Sequence, residues 1–164
     1  MKISTILRSL LIIIVGLPAM ASAQTKWMNP TDANEPYICG RAWNKEMGKS
    51  YNRLPQRFKA TVPGRVWGNS TMTAGLTVRF VTTSPNISVK YVCTSQSYGT
   101  FNLSGMVHSG VDLYGKAADG KMHWIGNHMR WSMKGDTITI SFPKLSVPAN
   151  RRTEYTLYLP NYNG

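Results

Sequence analysis

Hydrophobic and polar residues alternate with a period of two through much of the chain. In LTVRFVT, Leu76, Val78 and Phe80 fall on one face and Thr77, Arg79 and Val81 on the other. ISVKYVC, from Ile87 to Cys93, alternates in the same way. TITISF sets Ile138, Ile140 and Phe142 against Thr137, Thr139 and Ser141, and YTLYLP sets Leu157 and Leu159 opposite Tyr158. Successive side chains of a strand point to opposite faces, so each stretch predicts a half-buried strand. Turn residues separate the stretches: Ser84-Pro85-Asn86, Asp119-Gly120, Gly135-Asp136 and Pro148-Ala149-Asn150. No window carries a sustained helical stripe. The pattern predicts an all-β fold, an antiparallel jelly-roll-like sandwich in a single domain.

The stretch GVDLYGKAADGKMHWIG predicts a hairpin. One strand, residues 111–114, pairs with residues 121–125 around an Ala118-Asp119-Gly120 turn. Alternation puts Val111 and Leu113 on one face and Asp112 and Tyr114 on the other. Asp112 is thereby an acid beside an aromatic ring on the more polar face. Its carboxylate is expected to bind backbone N–H groups of the hairpin or a nearby Arg, because a carboxylate without a partner is costly to bury.

The chain opens with a different kind of segment. Lys2 and Arg8 precede the apolar run LLIIIVGL, Pro18 breaks it, and Ala21-Ser22-Ala23 supplies a small-residue cleavage site. Residues 1–23 are expected to be a secretory signal peptide of bacterial style, with the mature domain at 24–164. The run is too short to stay in a membrane. The mature protein is expected in the periplasm, on the cell surface or outside the cell, with no membrane attachment and no nucleic-acid partner.

Charge and cysteine add modest detail. Lys and Arg number 19 against 7 Asp and Glu, a formal net charge of +12. The basic residues are scattered, which suits acidic glycans, phosphate-bearing polymers or simply a soluble surface. Cys39 and Cys93 are the two cysteines; export makes a disulfide chemically possible, and a buried thiol at Cys93 fits its strand equally well.

Candidate chemistry is sparse. Nucleophilic hydrolysis needs a Ser or Cys within reach of a base, with oxyanion donors nearby. The histidines are His108, His123 and His128, and no serine sits in a G-x-S-x-G elbow. No spacing nominates a pair of carboxylates for glycoside cleavage. Cys93 is not followed closely by His, as a blue-copper site requires, so neither a metal nor a cofactor is expected. The aromatic residues could bind sugars. Trp124 on the hairpin and Trp67 in a loop-like VWGNS are the better candidates for exposure.

Taken together, several blocks resemble a known family. CGRAWNKEM is followed by YNRLPQR, then VWGNSTMTAGLTVRFVTTSPNISVKY, then GVDLY, a Trp-centred HWIG and a terminal LYLPNYNG. Their order and spacing resemble the N-terminal β-sandwich domain found ahead of SGNH (GDSL-like) hydrolases, whose signature is Gly-x-Asp-Leu-Tyr. The motif maps onto Gly110, Asp112, Leu113 and Tyr114. The resemblance implies an esterase-associated domain, with substrates that are esters, often acyl groups on glycans. It also implies a catalytic α/β domain as partner, beginning where LPNYNG ends this sequence. That second domain holds the nucleophile, oxyanion hole and catalytic histidine, so the resemblance assigns no catalytic residue here. A stand-alone carbohydrate-binding module and a small hydrolase with an unrecognised site are the alternatives. As half of a working unit, the domain is expected to show an apolar and aromatic patch near its C-terminal connector. Tyr158, Tyr162 and the polar face of the hairpin are the candidates to border it.

Overall fold

A computed structural model describes residues 25–32, 37–92, 99–131, 135–146 and 151–162. The expected leader and its cleavage point, Glu35, Cys93 and the turn at 148–150 lie outside the described residues. Among the described residues, seven strands form two antiparallel sheets. The larger sheet has the order β1-β2-β7-β4-β5, from Ile38–Cys39, Thr77–Thr82, Thr153–Tyr158, Val111–Lys116 and Met122–His128. The smaller pairs β3, Ile87–Val92, with β6, Thr137–Phe142.

The inward residues of the predicted strands meet in one core. Ile38, Leu76, Val78, Val111, Leu113, Tyr155 and Leu157 come from the larger sheet and its entry, and Ile87, Ile138, Ile140 and Phe142 from the smaller. Phe80 stacks on Tyr155 across β2 and β7, and Phe142 meets His128 edge-on between the two sheets. The architecture is therefore an all-β sandwich closed by apolar burial. β2 and β3 are neighbours in sequence, yet they join different sheets across the turn at 83–86. Leu145 N–H bonds to the Pro85 carbonyl and Lys144 N–H to Asn86 Oδ1, fixing that crossover.

Among the described residues, three short α-helices join the strands: α1 (Asn44–Met47), α2 (Gly64–Ser70) and α3 (Gly105–Ser109). None is long enough to present a repeating apolar stripe, which is why alternation alone did not reveal them. Arg41 is buried beside α1, donating to Asn44 Oδ1 at 2.6 Å and to the Ser50 carbonyl. No helix of the described residues is long and apolar enough to cross a membrane.

Candidate functional site

The GVDLY stretch forms β4, a central strand flanked by β5 and β7. Val111 and Leu113 are fully buried, and Asp112 and Tyr114 lie half-buried on the outer face. The partners of Asp112 are side chains rather than the backbone groups or arginine expected. Trp124 Nε1 donates to Oδ1 at 3.0 Å, and Asn127 Nδ2 donates to Oδ2 at 2.9 Å. Both donors come from β5, three residues apart. Strict alternation would send them to opposite faces. A bulge resolves this: Leu113 pairs with Gly126 and Tyr114 with Trp124, leaving Ile125 as the extra residue. The irregularity turns the indole and the amide to the same side, where one carboxylate holds both.

Gly110 has a tight position at the start of this strand. A Cβ there would lie 2.4 Å from the Met106 carbonyl oxygen and 2.6 Å from Asn127 Oδ1. Its N–H bonds to the Met106 carbonyl at 3.0 Å, closing α3 directly onto β4. The motif glycine thus allows the Asn127 amide to reach Asp112 past the end of the helix.

The C-terminal connector is pinned to the same corner. Leu159 N–H bonds to the Leu76 carbonyl at 3.0 Å, and Thr73 Oγ1 donates to the Pro160 carbonyl. Asn161 Nδ2 reaches the Val107 carbonyl at 2.7 Å, and Tyr162 N–H the His108 carbonyl at 3.0 Å. The Tyr162 ring stacks on His108 with centroids 4.9 Å apart. Residues 159–162 are thereby held against α3, which ends just before Gly110. On and beside α3, Met106, Val107 and Tyr162 are exposed, and Phe101 in the turn before α3 is completely exposed. Residues 91–115 contain no Lys or Arg, in a chain that has 19.

The predicted aromatic candidates separate into three groups. Trp124, 59% exposed, and Tyr158 stand on the outer face beside Tyr114, whose ring meets Tyr158 edge-on at 5.4 Å. Tyr162 belongs to the α3 corner. Trp67 lies on helix α2 and is half-buried, not in the open loop its sequence suggested. Pro63 starts that helix and the Trp67 N–H bonds back to its carbonyl, an i−4 contact that a glycine-rich sequence conceals.

Two histidine pairings stand among the described residues. His108 Nδ1 lies 2.8 Å from Ser109 Oγ, a pairing that sequence reasoning missed. His108 is 4% and Ser109 1% exposed, so a substrate carbonyl has no approach. Burial also lowers the His108 pKa from its ordinary value, favouring the neutral imidazole. His123 Nε2 pairs with Asp119 Oδ2 at 2.8 Å in the exposed hairpin turn, where a backbone bond from Lys121 and then the imidazole hold the Asp119 carboxyl below the usual range. An open cleft of about 390 Å³ is lined by Arg130, Trp131, Asp136 and the start of β6. Among the described residues, no group of three His, Cys, Asp or Glu side chains could hold a metal ion, and Cys39 carries a free thiol.

Comparison with known proteins accounts for the motif at the centre of this geometry. No match was found among curated proteins. A solved structure from Bacteroides ovatus, described as a GDSL-like lipase, superimposes with a TM-score of 0.64 at 28% identity over 77% of this chain. The match covers 35% of that chain, so this chain spans about a third of its length. The family model for the GxDLY domain, the N-terminus of SGNH-hydrolase-type esterases, matches residues 25–164. With Gly110, Asp112, Leu113 and Tyr114 in the positions of that motif, the chain belongs to the GxDLY family of SGNH-type esterase N-terminal domains.

Proposed function

We propose that this chain is the non-catalytic accessory domain of an exported bacterial esterase that acts on glycan esters. The observation that carries the reading is the anchored connector. Four hydrogen bonds and a ring stack fix residues 159–162 against α3 and the loop before β2. A tail with no mechanical task would not need such anchoring, because loose termini are the default. A chain continuing past it would emerge at a defined point and angle, as a rigid interdomain joint requires.

The corner beside the joint suits a protein contact. Met106, Val107 and Tyr162 are exposed there, and residues 91–115 carry no Lys or Arg. Interface cores are depleted of lysine and enriched in aromatic residues and methionine, and exposed apolar patches are seldom left uncovered. The hydrolase domain that follows in this family is the natural occupant. Removal of residues 1–23 would deliver the protein to the periplasm, cell surface or medium.

Joining this chain through its own connector to the hydrolase portion of the Bacteroides ovatus protein tests the joint. The account expects one cooperative calorimetric transition, split into two by Val107→Lys. Two independent transitions in both proteins would contradict it. The carbohydrate-binding alternative is favoured by the exposure of Trp124, whose indole N–H is held by Asp112.

A further inference from the structure

The outer face of the larger sheet carries a row of side chains unlike the α3 corner. In register across β5, β4, β7 and β2 stand Trp124, Tyr114, Thr156 and Arg79, with Thr156 buried between the exposed ends of the row. Tyr158 lies one step along β7, opposite Asp112. Three strand spacings separate the first and last of the row, roughly 14 Å. Trp124 is held by its N–H on Asp112, and Asp112 is itself held by Asn127. The indole is thus both exposed and immobilised, and Tyr114 and Tyr158 brace each other beside it. At the far end Arg79 is exposed, and its guanidinium has no acidic partner among the described residues. The nearer cation, Lys116, is already paired with Glu154 at 3.2 Å.

We propose that this ledge binds an acidic glycan, with a sugar ring stacked on Trp124 and a uronate carboxylate on Arg79. A pyranose ring presents an apolar face that an aromatic ring covers, and a guanidinium donates two parallel N–H bonds to a carboxylate. Rigid aromatic side chains lose little conformational entropy on binding, so the Asp112 clamp preorganises the site. The excess of Lys and Arg over Asp and Glu draws polyanions toward it. An acidic peptide is less suited. A peptide strand would pair along the free edge of β5 rather than lie across β4, β7 and β2, where the aromatic row and Arg79 stand. In this account Asp112 is a positioning residue, acting through Trp124. The proposal deepens the reading of the domain as part of a glycan esterase, and rests on that reading for its choice of ligand.

Titration of the purified chain with glucuronoxylan, polygalacturonate, xylohexaose and polyglutamate tests it without any hydrolysis. Failure here therefore leaves the interdomain joint standing, and failure of the joint leaves this binding measurable. The expected result is binding of the two uronate polymers, weakened on the order of tenfold by Trp124→Ala. Arg79→Gln should abolish the preference for uronates over xylohexaose, and Trp131→Ala should change nothing. Melting curves of each variant certify the fold, and Trp124→Phe, which keeps a ring, should recover part of the affinity. Absence of binding would overturn the proposal. So would binding that ignores Trp124→Ala, or equal binding of polyglutamate, which would mark simple attraction to a basic surface. Loss of binding in Trp131→Ala would move the site to the cleft at Arg130 and overturn it as well.

Discussion

Trp124 and Asn127 share one face of the sheet although they stand three residues apart on a single strand. The bulge at Ile125 makes this possible, and the two oxygens of Asp112 hold both side chains. The acid of the GVDLY motif is thereby a clamp across a hairpin irregularity.

Removing the clamp has a cost. Asp112→Ala leaves the Asn127 amide without its acceptor and frees the indole. The expected loss is about 1–3 kcal/mol, with Asp112→Asn milder because an amide oxygen still accepts from Trp124. Urea denaturation measures the loss, and tryptophan fluorescence anisotropy reports the freed ring. An unchanged midpoint in the Ala variant would show that the pairing contributes nothing to stability.

Gly110 should tolerate no side chain. The methyl of Gly110→Ala would press on the Met106 carbonyl and the Asn127 amide, and shifting them should cost roughly 1–3 kcal/mol. Gly64 provides the contrast, since a Cβ there meets nothing within 4 Å. Gly64→Ala should be neutral or mildly stabilising in the same denaturation series.

The strands were legible in sequence because period two is a local signal: Val78, Leu113, Ile138, Ile140 and Leu157 all face the core as alternation requires. The hairpin was legible too, apart from its register. A single extra residue reverses the parity of everything beyond it, and nothing local in MHWIGNH announces where it sits. The partners of Asp112 were hidden for that reason. Trp67 was misplaced because a seven-residue helix beginning with glycine lacks both stripe and propensity. The connector's contacts with Thr73, Leu76, Val107 and His108 join distant parts of the chain, which no window of sequence brings together.

The connector also conceals a titrating group. Burial lowers the His108 pKa from about 6.5, so the unfolded chain binds more protons than the native one as pH falls through that value. The contribution is complete only well above the unfolded value and is lost as pH falls through about 6.5 and on toward the lowered native value. The melting temperature should therefore fall on acidification from about pH 7 to pH 6, and His108→Gln should flatten that slope. An equally steep slope in the variant would assign the titration to another group.

Tyr162 covers His108 and ends the described connector. Tyr162→Ala should speed hydrogen exchange at Gly110 and across α3, leaving the β3–β6 pair as protected as before. Uniform exchange changes across both sheets would mean that the connector supports the whole fold rather than this corner.

Turnover of an aryl acetate by the purified chain tests the central claim most directly, because a domain that positions an esterase should not be one. The account predicts no hydrolysis above the buffer rate. Hydrolysis that is abolished by Ser109→Ala or His108→Ala, with the melting curve unchanged, would contradict it and make the chain itself the enzyme.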